Sequence, residues 1–205
     1  MSEARVTFDM LGYWHMGTGS GKGYDYDAVV AKTANGLPFI PGRTVKGLLR
    51  EGVLLLVEAT QASAAASDAT NRVLNLEVVE RLFGHSNAPD ESRYDGSPGK
   101  LYFSGAVLDP DPSVEVGWDK SLAEYLYAPV ASTRIDEHGQ AADHTLRRIE
   151  VAVPATLTAT VTCDDLADQT WIAVLKRAAP LIRMAGSHRH RGFGRVCLTV
   201  TGGEP

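Results

Sequence analysis

Between Arg183 and Arg195 the chain holds four arginines (183, 189, 191 and 195), two histidines (188 and 190) and no acid. Gly186, Gly192 and Gly194 lie among them. Glycine lets backbone approach a ligand closely, and arginine pairs with phosphate oxygens through a planar fork. Phe193 is placed either to stack on a base or sugar or to pin the loop to the core. His188 and His190 offer two nitrogen ligands to a metal, fewer than the three protein ligands of a catalytic zinc site. A second cationic set, Arg43, Lys46 and Arg50, is spaced three and four residues apart and so shares one stripe of a helix. At the positive end of a helix dipole each cation costs roughly 0.3–1 kcal/mol. Two readings fit that stripe: an anion held at the helix start by backbone N–H groups and these side chains, or a solvated basic face. Tyr13–Asp27 is glycine-rich and ends in Asp25 and Asp27. It is not a P-loop, because Gly23 follows Gly21-Lys22 and Met16 stands where the first glycine is required.

The elements that must position these groups read as follows. Arg5–Met10 alternates as a strand. Gly36, Pro38, Pro41 and Gly42 form a turning segment, after which Thr44 is the expected N-cap of a helix running to about residue 63. Val45, Leu48, Leu49, Val53, Leu55, Leu56 and Ala59 give that helix its apolar face. Gln61–Asn71 reads as a loop, Leu76–Phe83 as a short helix and Lys100–Leu108 as a strand. Residues 109–148 lack a core pattern and are expected to be an insertion carrying a hairpin. Val151–Thr162 reads as one continuous strand, with Thr156, Thr158, Thr160 and Thr162 opposite the apolar set. Asp164 or Asp165 is expected to cap a helix that buries Leu166, Val174, Leu175, Ala178, Leu181 and Ile182 and bends near Pro180. A last strand starts at Val196. The order is an α+β, ferredoxin-like or RNA-recognition-motif-like βαββαβ fold. It predicts one domain over residues 1–205, with 109–148 as a thumb-like insertion between the second and third core strands. Both helices should cover one sheet face and leave the other for binding or assembly.

Composition narrows the partners. The chain has 205 residues, 44% hydrophobic and 22% charged, enough for one real core. Net charge is −5, with acids gathered in 87–96, 109–119 and 164–168. An acidic chain with two basic patches suits a tracked polyanion better than a general basic coat. Cys163 and Cys197 suggest neither a disulfide framework nor a zinc site, so a reducing cytoplasm is expected. No apolar run approaches the ~18 residues of a membrane span and the start lacks a signal-peptide pattern, so no membrane partner is expected.

Ile40-Pro41-Gly42 followed by Lys46-Gly47 and Arg50, with a glycine-rich loop ending Gly192-Phe193-Gly194, resembles the RAMP superfamily of CRISPR RNA-binding proteins. Three more segments resemble the repeated backbone subunit of type III effector complexes. These are His15-x-Gly17-x-Gly19, then Leu82-Phe83-Gly84, then Arg134-Ile135-Asp136 with Gly139, Glu150 and Val153-Pro154. The resemblance implies a protein that stacks with copies of itself and other type III subunits along a guide RNA. It implies RNA contacts from His15, Arg43, Lys46, Arg50 and Arg134, and from Gly186, Arg189, Arg191, Gly192, Phe193, Gly194 and Arg195. It also implies cleavage of a complementary target RNA by an aspartate in the loop before Pro38-Phe39-Ile40-Pro41-Gly42, with a divalent metal, Mg2+, on that residue. Asp27 fits best and Asp25 is the alternative. A carboxylate ionised at neutral pH can orient or deprotonate a ribose 2′-hydroxyl, which then attacks the adjacent phosphate. Three competing expectations stand beside this one. The first is a guide-binding scaffold in which Asp25 and Asp27 are loop acids. The second is a guide-processing endoribonuclease using His15. The third is a metabolic enzyme with a small phosphate pocket.

Overall fold

Four strands that alternate buried and exposed side chains build the frame. The computed structural model describes residues 2–23, 25–62, 74–85, 96–108, 123–165 and 170–203. β1 (Ser2–Met10) leads through an irregular segment into α1 (Gly42–Ala62). Then come α2 (Leu76–Phe83) and a short ladder of β2 (Gly84–His85) and β3 (Ser97–Pro98). An edge strand follows in two pieces, β4 (Leu101–Phe103) and β5 (Val107–Leu108). β6 (Tyr127–Ser132) and β7 (Arg147–Ala152) pair with each other as a separate hairpin. β8 (Thr156–Cys163), α3 (Thr170–Ala178) and β9 (Val196–Gly202) complete the chain.

The main sheet runs β4-β8-β1-β9 and is antiparallel throughout, with β5 also on β8. Among core strands that is the order second, third, first, fourth, the ferredoxin-like topology the element order predicts. Ala4, Val6, Phe8 and Met10 of β1 are buried, as are Leu157, Ala159 and Val161 of β8 and Val196, Leu198 and Val200 of β9. They join Val45, Leu48, Leu49 and Val53 of α1 and Trp171, Ile172 and Leu175 of α3 in one core. The opposite face carries Arg5, Thr7, Thr158, Thr160 and Thr199, which pair across β8, β1 and β9.

Several local expectations need correction. α1 begins at Gly42, because the Pro41 carbonyl accepts from Thr44 N (2.8 Å) and Val45 N (3.0 Å). Thr44 therefore lies inside the first turn and is not the N-cap. Leu55 is exposed rather than part of the buried face. The strand expected over Val151–Thr162 is two strands. Pro154, which has no N–H to donate, lies in the gap where the chain leaves the hairpin for the main sheet. The Lys100–Leu108 strand is also broken, since Ala106 leaves the ladder to exchange hydrogen bonds with Ile40 (2.9 and 2.8 Å). In the last helix Trp171 and Ile172 are buried while Leu181 is 37% exposed, for a short 3-10 turn at Ala179–Leu181 rotates it outward. α2 matches its expected span, with Asn75 Oδ1 accepting from Val78 N at 3.1 Å as its cap. The expectations for residues 63–71, Leu166 and the start of the insertion at 109–122 lie outside the described residues.

Candidate nucleic-acid interface

Tyr13–Met16 is the strut on which the candidate site is built. Trp14 N donates to Ala152 O (3.0 Å) and Ala152 N donates back to Trp14 O (2.8 Å), tying the strut to the hairpin root. Gly194 N donates to Tyr13 O (2.8 Å) and Ser187 N to His15 O (2.9 Å), tying it to the C-terminal loop. Trp14 is fully buried and its Nε1 donates to Val153 O at 2.8 Å. One short segment thus holds the basic loop and the hairpin in fixed relation.

The loop itself depends on missing side chains. A Cβ on Gly186 would come within 2.5 Å of the His15 carbonyl oxygen, and one on Gly194 would collide with the Ala185 carbonyl. Both residues also have positive φ, 95° and 77°, which L side chains avoid. Arg189 is already engaged. Its Nε donates to Gly186 O (3.0 Å), and its Nη1 reaches Glu51 of α1 at 3.3 Å. Phe193 is half-buried and stands edge-on to the His188 ring, which stands edge-on to His15. Burial first, and then the neighbouring His15 and the Arg191 charge, hold His188 below the ordinary histidine pKa.

Asp27 meets the hairpin. Its N–H donates to Arg148 O (2.8 Å), and its Oδ2 accepts from Arg148 N at 2.7 Å. The Asp27 side chain is exposed, and its other oxygen accepts no hydrogen bond from the described residues. Asp25 sits two residues away in a turn closed on Lys22 O (3.1 Å). Next along the same ladder, Glu150 N donates to Ala28 O (3.0 Å). The Glu150 carboxylate is buried and accepts from Val30 N (3.1 Å) and Lys32 Nζ (2.8 Å). Lys32 in turn lies 4.0 Å above the Tyr127 ring, whose hydroxyl donates to Gly36 O at 2.7 Å. Burial and the Glu150 carboxylate push the Tyr127 pKa upward. Asp27 is therefore held by the Arg148 backbone, next to a polar cluster that links the hairpin root to the segment before α1.

A cleft of ≈ 660 Å³ opens between hairpin and loop, lined by Ser132, Thr133, Arg134, His144, Thr145, Arg147 and Arg191. Three arginines and three hydroxyls converge there without a lining acid, a donor set for phosphate oxygens. Arg134 and Arg191, both expected RNA contacts, meet in this cleft. Arg147 and His144 were missed, although Arg147-Arg148 is a basic pair directly before Ile149-Glu150. Arg43 and Arg50 are exposed on α1 and, with Lys46, form no ion pair among the described residues. No acid stands in the first turn of α1 to offset its positive end. Arg195 is exposed beside Met184, its bridge partner. His188 and His190 gain no third ligand, and no group of three His, Cys, Asp or Glu side chains among the described residues is placed to hold a metal. No helix among the described residues is long and apolar enough to cross a membrane.

Comparison with known proteins places the chain in a lineage. The family model of the RAMP superfamily matches residues 7–197. No curated protein matches the sequence. Among solved structures, the chain is similar to one from a cryo-EM structure of type III-B Cmr-beta bound to cognate target RNA. The TM-score is 0.68 at 11% identity, over 98% of this chain and 97% of that one. A chain from the apo state of type III-B Cmr-beta is similar to nearly the same degree, with TM-score 0.67, 11% identity and the same coverage. At that identity the likeness is one of fold.

Proposed function

We propose that this chain, which belongs to the RAMP superfamily, is a backbone subunit of a type III CRISPR RNA-guided effector complex that binds guide RNA and cleaves complementary target RNA. The acid-free cleft of Arg134, Arg147 and Arg191 carries the reading. It offers neighbouring phosphates of one strand a set of guanidinium forks, and the strut keeps the hairpin and the loop that form it in register. Copies of the chain stacked along the guide, together with other type III subunits, would present that surface repeatedly.

Asp27 is the residue proposed for cleavage. Its Oδ2 is fixed by the Arg148 N–H, so the second oxygen has a defined position at the hairpin root. From there it orients a target 2′-hydroxyl and takes its proton. The 2′-oxygen then attacks the adjacent phosphorus and the 5′-oxygen of the next nucleotide leaves with a proton, so the strand ends as a cyclic phosphate. One carboxylate with substrate phosphates and water is a ligand set that suits Mg2+, which would supply charge neutralisation at the scissile phosphate.

Two experiments test this. The protein is expressed with its genomic neighbours and purified, and whatever RNA comes along is sequenced. Short RNAs sharing a repeat-derived tag are expected, and absence of RNA at low salt overturns the reading. In the assembled complex Asp27→Ala is then expected to abolish target cleavage while binding persists. Cleavage that survives both Asp27→Ala and Asp25→Ala leaves the scaffold reading. That second reading has its own support, since the Arg148 N–H already gives Asp27 a structural task.

A further inference from the structure

His15 is buried, 2% exposed, yet only one of its two ring nitrogens is used by the protein. Nδ1 lies 2.6 Å from the Glu150 carbonyl oxygen. A carbonyl only accepts, so Nδ1 carries the hydrogen, and the neutral ring has an unprotonated Nε2. This tautomer is locked, because Glu150 is itself held by Val30 N, Lys32 Nζ and Ala28 O. Nε2 accepts no hydrogen bond from the described residues. Nor is it sealed in, for among those residues the single fully buried side-chain nitrogen or oxygen without a partner is Thr158 Oγ1. The opening lies over Gly17: a Cβ there would stand 3.0 Å from Nε2. Gly17 is exposed and its φ is not in the left-handed region, so turn geometry does not demand glycine; what a side chain there would meet is the His15 ring, Nε2 first.

We infer that His15 Nε2 reads the ribose 2′-hydroxyl of a bound RNA strand, making His15 a specificity-determining residue for RNA over DNA; this rests on the guide-binding reading above. The donor chemistry follows from the surroundings. Ser187 N–H holds the His15 carbonyl and the His188 ring stands edge-on 5.9 Å away, so the arginine-rich loop adjoins the ring. On the guide-binding reading the ligand is a polyanionic strand, and an unprotonated Nε2 accepts from its neutral donors, the base N–H groups and the ribose 2′-hydroxyl. Base N–H donors vary with sequence, whereas the 2′-hydroxyl recurs at every nucleotide and distinguishes RNA from DNA. A backbone-tracking protein needs that sequence-independent mark.

The test compares a single-stranded RNA with its 2′-fluoro counterpart, which keeps the sugar pucker but has no hydrogen to donate. The wild-type protein, freed of RNA, is expected to bind the RNA about five-fold more tightly, the effect of one hydrogen bond. Gly17→Ala keeps the ring and its Nδ1 bond but walls off Nε2. It is expected to lower RNA affinity to the 2′-fluoro level and leave 2′-fluoro binding unchanged. His15→Gln, which returns an acceptor near the Nε2 position, is expected to restore part of the preference. Equal wild-type affinity for both strands overturns the inference while leaving RNA binding intact. A preference that Gly17→Ala does not reduce overturns it too, because the hydroxyl is then read elsewhere. Failure to bind either strand overturns the guide-binding reading itself.

Discussion

The C-terminal loop and the hairpin both bring arginine to the cleft between them, on opposite structural principles. In the loop, Gly186 and Gly194 are pressed against carbonyls, Arg189 is stapled to Glu51 on α1, and the strut crosses beneath. The loop is over-determined by the core. Beyond Ser132 and Arg147 the hairpin holds itself. Thr133 and Thr145 hydroxyls bond each other at 2.7 Å, and Asp136 Oδ1 accepts from the N–H groups of His138 and Gln140, both at 2.9 Å. Ile135 and Leu146 remain 58% and 67% exposed at its far end. The hairpin is anchored at its root, through Tyr127, Glu150 and Ala152. Arg189 on the loop is thus a structural commitment, while Arg191 joins Arg134 and Arg147 of the hairpin in facing the cleft.

Four outcomes would sharpen or break this contrast. Asp27→Ala at the hairpin root is expected to cut target cleavage by at least about 100-fold, the usual worth of a positioned base, with guide binding intact. Loss of guide binding as well would mean that Asp27 shapes the root and does not act on the target. In the loop, Gly194→Ala should lower unfolding stability in urea by at least ~2 kcal/mol, from a positive φ and a carbonyl collision. A midpoint equal to wild type would show that the loop is not locked. Arg134→Ala and Arg191→Ala should each leave that midpoint in place. Each should make the slope of log affinity against log salt for single-stranded RNA about 0.7 shallower. Arg189→Ala is expected to do the reverse, moving the midpoint more than the slope. Equal slopes for all three arginines would erase the distinction between staple and contact.

The smallest effect concerns pH. The folded-state pKa of His188 lies below its unfolded value, so the unfolded chain binds the extra proton first as pH falls. The stabilising contribution is whole above the unfolded value of about 6.5 and shrinks as pH drops through and below it. The urea midpoint of His188→Asn should therefore fall less than that of wild type between about pH 7 and 5.5. Parallel pH profiles would remove His188 from the account.

Much of the frame was legible in the chain because its signals are local. The alternation of Val6 and Phe8, the short helix at Leu76–Phe83 and the punctuation at Gly36–Gly42 depend on neighbours two to four positions away. The α+β element order follows from those, and the ferredoxin-like strand order follows once that element order is matched to the βαββαβ motif. Arg43, Lys46 and Arg50 were readable for the same reason, since three- and four-residue spacing is a property of one helix.

Other features had no local signature. Val151 belongs to the hairpin and Leu157 to the main sheet, although both fit one unbroken alternation; the choice was made by their partners, Ala128 and Phe8. Arg189 and Arg191 are equivalent in sequence, yet one meets Glu51 and the other joins Arg134 and Arg147 across a cleft. His15 was visible as a residue, but its tautomer comes from a carbonyl 135 positions along the chain. The sequence alone determined which segments are helix or strand and how they are ordered, because backbone preference and hydrophobic period act over a few residues. Only the tertiary structure decided which polar groups are already occupied and which retain an unused donor or acceptor, because that depends on partners brought together from distant parts of the chain.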